Sequence, residues 1–181
     1  MSIRALLSGT ETYLRGATVL NDIPAETVGK VCGVQPDGSP PAGAGQWYYA
    51  IYFSGVRNMD PNSLSADWAY SLTVAITKRM GEVPRDRRAA KMVATQELLD
   101  QAIYIASVLH QNDDARIIWN SLITGEGVTV NGFLTPLKMQ SISEVERCPA
   151  SWLYTQDSTE AYYVLVKFGD AQRIQLLPAA R

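Results

Sequence analysis

The stretch QWYYAIYFSGV, residues 46–56, decides the fold, because it is typical of a β-strand with two apolar faces. Successive side chains of a strand point to opposite sides, and a strand exposed on one side alternates apolar with polar residues. Here a long helix is expected to cover one face. The other face is expected to be covered by C-terminal strands of the same chain, by a neighbouring subunit, or by both. The face toward the helix has Trp47, Tyr49, Ile51 and Phe53, and the opposite face has Tyr48, Ala50 and Tyr52.

A second strand follows at DWAYSLTVAITKR, residues 67–79, where large apolar residues alternate regularly with small or polar ones. This period of two predicts a strand. The connection contains Asp60-Pro61-Asn62, residue types that favour turns. The two strands are therefore expected to pair as an antiparallel hairpin with a long, exposed connection.

The strongest helical signal is PRDRRAAKMVATQELLDQAIYIASVLH, residues 84–110, and it predicts a helix that begins at Pro84 or Arg85. Proline is well tolerated in the first turn of a helix. A first, shorter helix is predicted over residues 2–15, and Gly9 and Thr10 are expected to interrupt it. The apolar positions that recur at helical spacing in the long helix are Val93, Leu98, Leu99, Ala102, Ile103, Ala106 and Leu109.

The chain beyond Gly127 has mainly β-type patterns. The resulting order predicts an α+β fold, a mainly antiparallel sheet with the long helix packed on one face, an N-terminal helix and an extra C-terminal β segment. Residues 1–125 are expected to form the core domain, and residues 126–181 a C-terminal β extension packed on the same domain. The predicted strands are 128–130, 133–142, 151–155, 161–168 and 173–177, with a hairpin turn at 169–172.

Composition narrows the function classes. The 181 residues have a net charge of −2, which argues against a protein that wraps nucleic acid. No stretch approaches the roughly 20 apolar residues of a membrane span, and no signal peptide is recognised, so a cytoplasmic product is expected. Cys32 and Cys148 are expected to be free, buried thiols.

Catalytic chemistry has little support in the sequence. The chain has one histidine, His110, near the end of the long helix, whereas a zinc site needs three or four ligands. Asp113-Asp114 is more typical of a helix cap than of a metal site. We therefore predict no catalytic residue, no metal, no cofactor and no enzymatic activity.

The aromatic residues point instead to contact with other proteins. Nine tyrosines and four tryptophans stand beside three phenylalanines, and Tyr and Trp are favoured at interfaces. The helix start also carries a cluster of basic residues, which is either solvated or binds a partner carboxylate or a phosphate. The predicted interface residues are Tyr48, Tyr52, Asp60, Arg85, Arg87, Arg88, Trp119 and Trp152.

The order of elements in residues 1–122 resembles the tail-terminator (neck) proteins of long-tailed bacteriophages. The resemblance rests on an N-terminal helix, the strand QWYYAIYFSG, a polar turn, the strand WAYSLTVAITKR and the long helix RDRRAAKMVATQELLDQAIYIASVLH. It implies a ring, usually a hexamer, that caps the tail tube, stops its polymerisation and joins it to the head-side connector. It also implies a place in the virion tail or neck, reached from the host cytoplasm during assembly.

The partners implied are further copies of this chain, the tail tube protein and the head–tail connector protein, with passive contact to DNA in the channel and none to membranes. Two alternatives stay open. One is a head–tail connector or another minor tail protein. The other is of a different class, a small-molecule enzyme or binding domain with a pocket between the long helix and the sheet.

Overall fold

A computed structural model describes residues 7, 10, 14, 47–58, 68–80, 86–111, 132–134, 137–149 and 160–175. It confirms the α+β class, with an antiparallel sheet and one long helix packed against it. The long helix spans Arg87–Leu109. The described strands are β1 (Trp47–Asn58), β2 (Trp68–Arg79), β3 (Gly132–Leu134), β4 (Lys138–Ile142), β5 (Glu146–Arg147) and β6 (Ala161–Gln175).

The predicted antiparallel hairpin between the two aromatic-rich strands is confirmed. β1 and β2 pair over almost their whole length, with Tyr49 opposite Ile76 and Ile51 opposite Val74. The register shifts between Phe53 and Gly55. Up to that shift, the odd-numbered side chains of β1 therefore lie on the same face of the sheet as the even-numbered side chains of β2.

β6 runs through the middle of the sheet, in the order β1-β2-β6-β3. One edge of β6 pairs with β2, and the other edge pairs with β3, β4 and β5 in turn. Together β3, β4 and β5 therefore act as one broken strand along β6. The division into domains at residue 125 stays a prediction, but β6 from the predicted extension is hydrogen-bonded directly to β2 from the predicted core.

The predicted turn at 169–172 is wrong, because β6 continues without a break to Gln175. β2 offers partners along this segment, with Tyr70 opposite Ala171, and β3 takes over farther on. A β-carbon at Gly169 would meet only the amide end of the flexible, exposed Gln140 side chain. Glycine in a strand often marks a β-bulge, and the register of β6 against β2 shifts between Phe168 and Ala171.

The long helix begins later than predicted, with Asp86 as its N-cap. Its buried stripe is Ala94, Leu98, Ala102, Ile105 and Leu109, all with no exposed surface. This stripe belongs to the same core as the buried side chains of β2 and β6 on the helix side of the sheet. Those side chains are Leu72, Val74 and Ile76 of β2 and Val164, Val166 and Phe168 of β6.

Two residues assigned by spacing to the apolar stripe lie outside the core. Val93 is 50% exposed and Ile103 is 59% exposed. At about 100° per residue, both fall on the side of the helix opposite to Leu98 and Ile105. The helix is apolar on more than one side, so its sequence alone does not show which side packs.

The predicted N-terminal helix agrees with the three positions described there, since Leu7, Thr10 and Leu14 all have helical backbone. Leu14 belongs to the core, and Leu7 packs against it. Thr10 has helical backbone and is fully buried, whereas Gly9, the other residue predicted to interrupt this helix, lies outside the described residues. The predicted strands at 128–130 and 151–155, and Cys32, lie outside the described residues.

We expect Leu98→Ala to lower the free energy of unfolding by about 2–5 kcal/mol, because it leaves a cavity under the long helix. Ile103→Ala serves as the matched control on the same helix and should change it by less than about 0.5 kcal/mol. Denaturant unfolding followed by circular dichroism measures both. A larger loss in Ile103→Ala than in Leu98→Ala would show that the helix is packed the other way round.

Candidate interaction surface

The helix side of the sheet holds the most deeply buried side chains of β1. Tyr49 and Ile51 are 1% and 2% exposed, and the Tyr49 hydroxyl donates to Gln101 Oε1 on the long helix at 3.4 Å. Burial, with a smaller effect of Tyr104, raises the pKa of Tyr49 well above its usual range. Trp47 and Phe53 are partly buried against the same core, as predicted for this face.

The second face of the sheet is only partly covered. At its centre Thr73, Ala75 and Thr77 on β2 are buried. The larger side chains that flank them, among them Tyr52 and Tyr163, are half-buried. Tyr52 is thus more exposed than Tyr49 and Ile51, as expected. The structure does not describe the side chain of Tyr48. A role for Tyr52 at an interface stays a prediction.

Polar groups on this second face pair with one another. The Tyr163 hydroxyl donates to Glu146 Oε2 at 2.7 Å. Burial raises the pKa of Tyr163 to about 12, and the Glu146 carboxylate adds to this shift. Burial likewise raises the pKa of Tyr52, partly offset by its hydrogen bond with Thr73. Both phenols therefore stay neutral over the physiological pH range.

Cys148 is a free, buried thiol at the edge of this face. Its backbone N–H donates to the Ala161 carbonyl at 2.8 Å. Burial raises the pKa of the thiol to about 12, partly offset by Thr77 and by the charge of Arg79. The Thr77 hydroxyl oxygen, although next to the thiol, lacks a hydrogen bond of good geometry. A thiol that is buried and protonated is a poor nucleophile, so Cys148 is structural.

A buried cation lies on the helix side at the end of β2. Lys78 is 6% exposed and forms an ion pair with Glu97 of the long helix. Its ammonium also lies 4.9 Å from the centre of the Trp47 ring, within range of a cation–π interaction. Burial lowers the pKa of Lys78. This cluster joins β1, β2 and the helix, and the sequence patterns do not predict it.

The start of the long helix carries part of the predicted basic cluster. Asp86 Oδ1 accepts hydrogen bonds from the backbone N–H groups of Arg88 and Ala89, at 3.0 and 3.1 Å. Arg88 and Lys91 are both exposed, and residues three apart are neighbours on a helix. The two cations are therefore available to a partner on one side of the first turn. Arg87 is the first helical residue, and its side chain is outside the description.

Exposed apolar side chains on the long helix are the main feature that sequence reasoning missed. Met92 is 62% exposed, and Ile103 lies eleven residues farther along the same side. We call Met92, Leu99 and Ile103 the outer helix stripe; Leu99 is half-buried. A spacing of seven and four residues keeps these three on one side of the helix. The predicted helical periodicity included Leu99 and Ile103 among the apolar positions of the helix but did not include Met92.

The remaining predicted interface residues, Asp60, Arg85, Trp119 and Trp152, lie outside the described residues. In the part of the chain that the structure describes, no group of three or more His, Cys, Asp or Glu side chains is placed to hold a metal ion. No helix in that part is long and apolar enough to cross a membrane.

Comparisons with known proteins give no family assignment. No protein-family model matches the chain, and no curated protein matches it significantly.

The Tyr163–Glu146 pair predicts how tyrosine ionisation depends on pH. Replacing Glu146 by Gln should move the pKa of Tyr163 from about 12 toward the ordinary value of about 10, although burial should keep it above that value. Ultraviolet titration of tyrosinate measures this, with Tyr163→Phe to identify the signal. An unchanged titration in Glu146→Gln would contradict the assigned cause.

The raised pKa of Tyr163 also predicts how the free energy of unfolding changes with pH. The pKa of Tyr163 is higher in the folded protein than in the unfolded chain. Between about pH 10 and pH 12 the unfolded chain therefore loses its Tyr163 hydroxyl proton before the folded protein does. Its contribution to the free energy of unfolding is complete below about pH 10 and falls as the pH rises through the folded value. The fall should be smaller in Tyr163→Phe.

The Lys78–Glu97 pair predicts a coupled effect on stability. Glu97→Gln leaves a buried ammonium without its carboxylate and should lower the free energy of unfolding by about 1 kcal/mol; the cost is limited because Glu97 is partly exposed. Adding Lys78→Met removes the unpaired charge and should recover much of the loss. A double-mutant cycle in denaturant tests this, and strictly additive effects would contradict it.

Proposed function

We propose that this protein is a structural virion protein, the tail terminator of a long-tailed bacteriophage. In this role it forms a ring that caps the tail tube, stops tube polymerisation and joins the tube to the head-side connector. The proposed partners are other copies of the chain, the tail tube protein and the connector protein. The proposed location is the virion neck, with the host cytoplasm as the site of assembly.

The observation that carries the proposal is the order of elements. Helical backbone at Leu7, Thr10 and Leu14, the β1–β2 hairpin and the long helix follow one another as in the family that residues 1–122 resemble. The added strand β6 widens the same sheet rather than interrupting that order. This layout supports the family resemblance without any catalytic group being needed.

The distribution of apolar surface also supports assembly into a ring. A closed ring uses heterologous contacts, so each subunit needs two different adhesive surfaces. One candidate is the second face of the sheet around Tyr52 and Tyr163. The other is the outer helix stripe, where Met92 and Ile103 expose more than half of their surface. The two surfaces lie on opposite sides of the sheet-and-helix layers.

The charge of the chain is compatible with a channel for DNA. A net charge of −2 gives no strong attraction to phosphates. DNA therefore passes such a ring without being held. The basic pair Arg88 and Lys91 is local, and a carboxylate on a neighbouring subunit is the partner that this proposal gives it.

Electron microscopy and sedimentation of the purified protein test the proposal. We expect six-fold rings, and we expect added protein to shorten tubes formed by the cognate tail tube protein. A protein that stays monomeric at high concentration and has no effect on tube length would refute it. Binding to the head-side connector without any effect on tube length would favour the connector alternative instead.

The outer helix stripe gives a sharper variant test. Ile103→Glu places a charge in a surface proposed to be buried between subunits, so rings should be lost while the monomer stays folded, since Ile103 is largely exposed there. Val93→Glu adds the same charge at another exposed apolar position of the same helix, outside the outer helix stripe, and should leave the rings intact. Rings that persist in Ile103→Glu would remove the stripe from the interface.

A further inference from the structure

The end of the long helix is fastened to β4 by two hydrogen bonds of different chemistry. The backbone N–H of Gln111 donates to the Leu137 carbonyl at 2.8 Å. Two residues along, the backbone N–H of Met139 donates to Nδ1 of His110 at 3.1 Å. The first bond has a carbonyl as acceptor, which no ordinary pH change affects. The second has an imidazole nitrogen.

The backbone geometry places the imidazole at this position. His110 is the C-cap of the helix, in an extended conformation, and its own N–H donates to the Ala106 carbonyl at 2.9 Å. Gln111 follows with φ of 51°, in the left-handed region where helices often end. Leu109, next to His110, and Leu137, whose carbonyl accepts the first bond, are both fully buried. The two hydrogen bonds therefore lie beside fixed apolar side chains, while His110 itself is exposed to solvent.

An imidazole nitrogen accepts a hydrogen bond only while it carries no proton. In the neutral ring one nitrogen accepts and the other donates, whereas in the imidazolium both donate. Acceptance at Nδ1 therefore requires the neutral ring with its proton on Nε2. Histidine side chains generally change charge between about pH 5 and pH 8, and a proton on Nδ1 would face the Met139 N–H donor directly.

We propose that His110 is a pH-sensitive clamp between the long helix and β4. At neutral and higher pH the Nδ1–Met139 bond holds the start of β4 against the helix end. Protonation of the imidazole removes the acceptor, so the bond is lost and the broken edge strand loosens at Met139 while the Gln111–Leu137 bond remains.

The charged side chains around His110 should not produce the same pH dependence. The described charged residues nearest in sequence and register are Lys138 on β4 and Lys167, which is opposite Ser141 on β6. The last turn of the helix has no basic residue. Lysines keep their charge over this pH range. His110 is also the single histidine of the chain, so its imidazole resonances are observed without overlap.

Amide hydrogen exchange measured by nuclear magnetic resonance tests the clamp on the full chain. The readout is the protection factor of the Met139 amide divided by that of the Gln111 amide, each corrected for intrinsic exchange at that pH. We expect this ratio to fall about fivefold between pH 8 and pH 5, the factor expected for one lost hydrogen bond. An unchanged ratio would overturn the proposal.

His110→Asn is the matched variant, because its side-chain oxygen takes the place of Nδ1 and accepts a hydrogen bond at either pH. In this variant the ratio should stay high at both pH values, and in His110→Ala it should be low at both. A fall in His110→Asn equal to that of the unaltered protein would overturn the proposal. So would imidazole nitrogen shifts that place the neutral proton on Nδ1.

Discussion

The antiparallel pairing of β2 with β6 is the interaction on which the rest of the sheet depends, because every other described strand attaches to one of these two. β2 is buried on both faces. Its Val74 and Ile76 side chains are buried on the face toward the helix, and its Thr73 and Thr77 side chains are buried on the other face. Backbone N–H and C=O groups that are buried in this way cannot form hydrogen bonds with water, so they must pair with groups on the neighbouring strands. The long helix then has a continuous apolar surface to cover.

The packing of that one core leaves apolar surface in two other places. The helix turns Leu98 and Ile105 inward, and as a consequence Met92 and Ile103 face outward. On the far side of the sheet, Tyr52 is covered only in part. Surfaces of this kind are typical of sites that bind other proteins, so they are compatible with the proposed assembly into a ring.

The polar contacts that join distant segments lie where the helix meets the sheet or where the sheet has an edge. Lys78 binds Glu97 beneath the helix, and His110 meets Met139 at the helix end. Each links residues at least 19 positions apart in sequence. They fix the orientation of the helix, which the apolar core alone would specify less sharply, because hydrophobic contact has little directionality.

The sequence by itself determined the β1–β2 hairpin and the long helix, because periods of two and 3.6 residues are local properties of the chain. The exposure of Tyr52 relative to Tyr49 followed from the same alternation. The tertiary structure decided which side of the helix packs, since Val93 and Ile103 share the apolar character of Leu98. It also decided that β6 continues through Gly169, because Lys138 on β4 lies opposite Gly169, and β2 and β3, also far away in sequence, supply partners farther along.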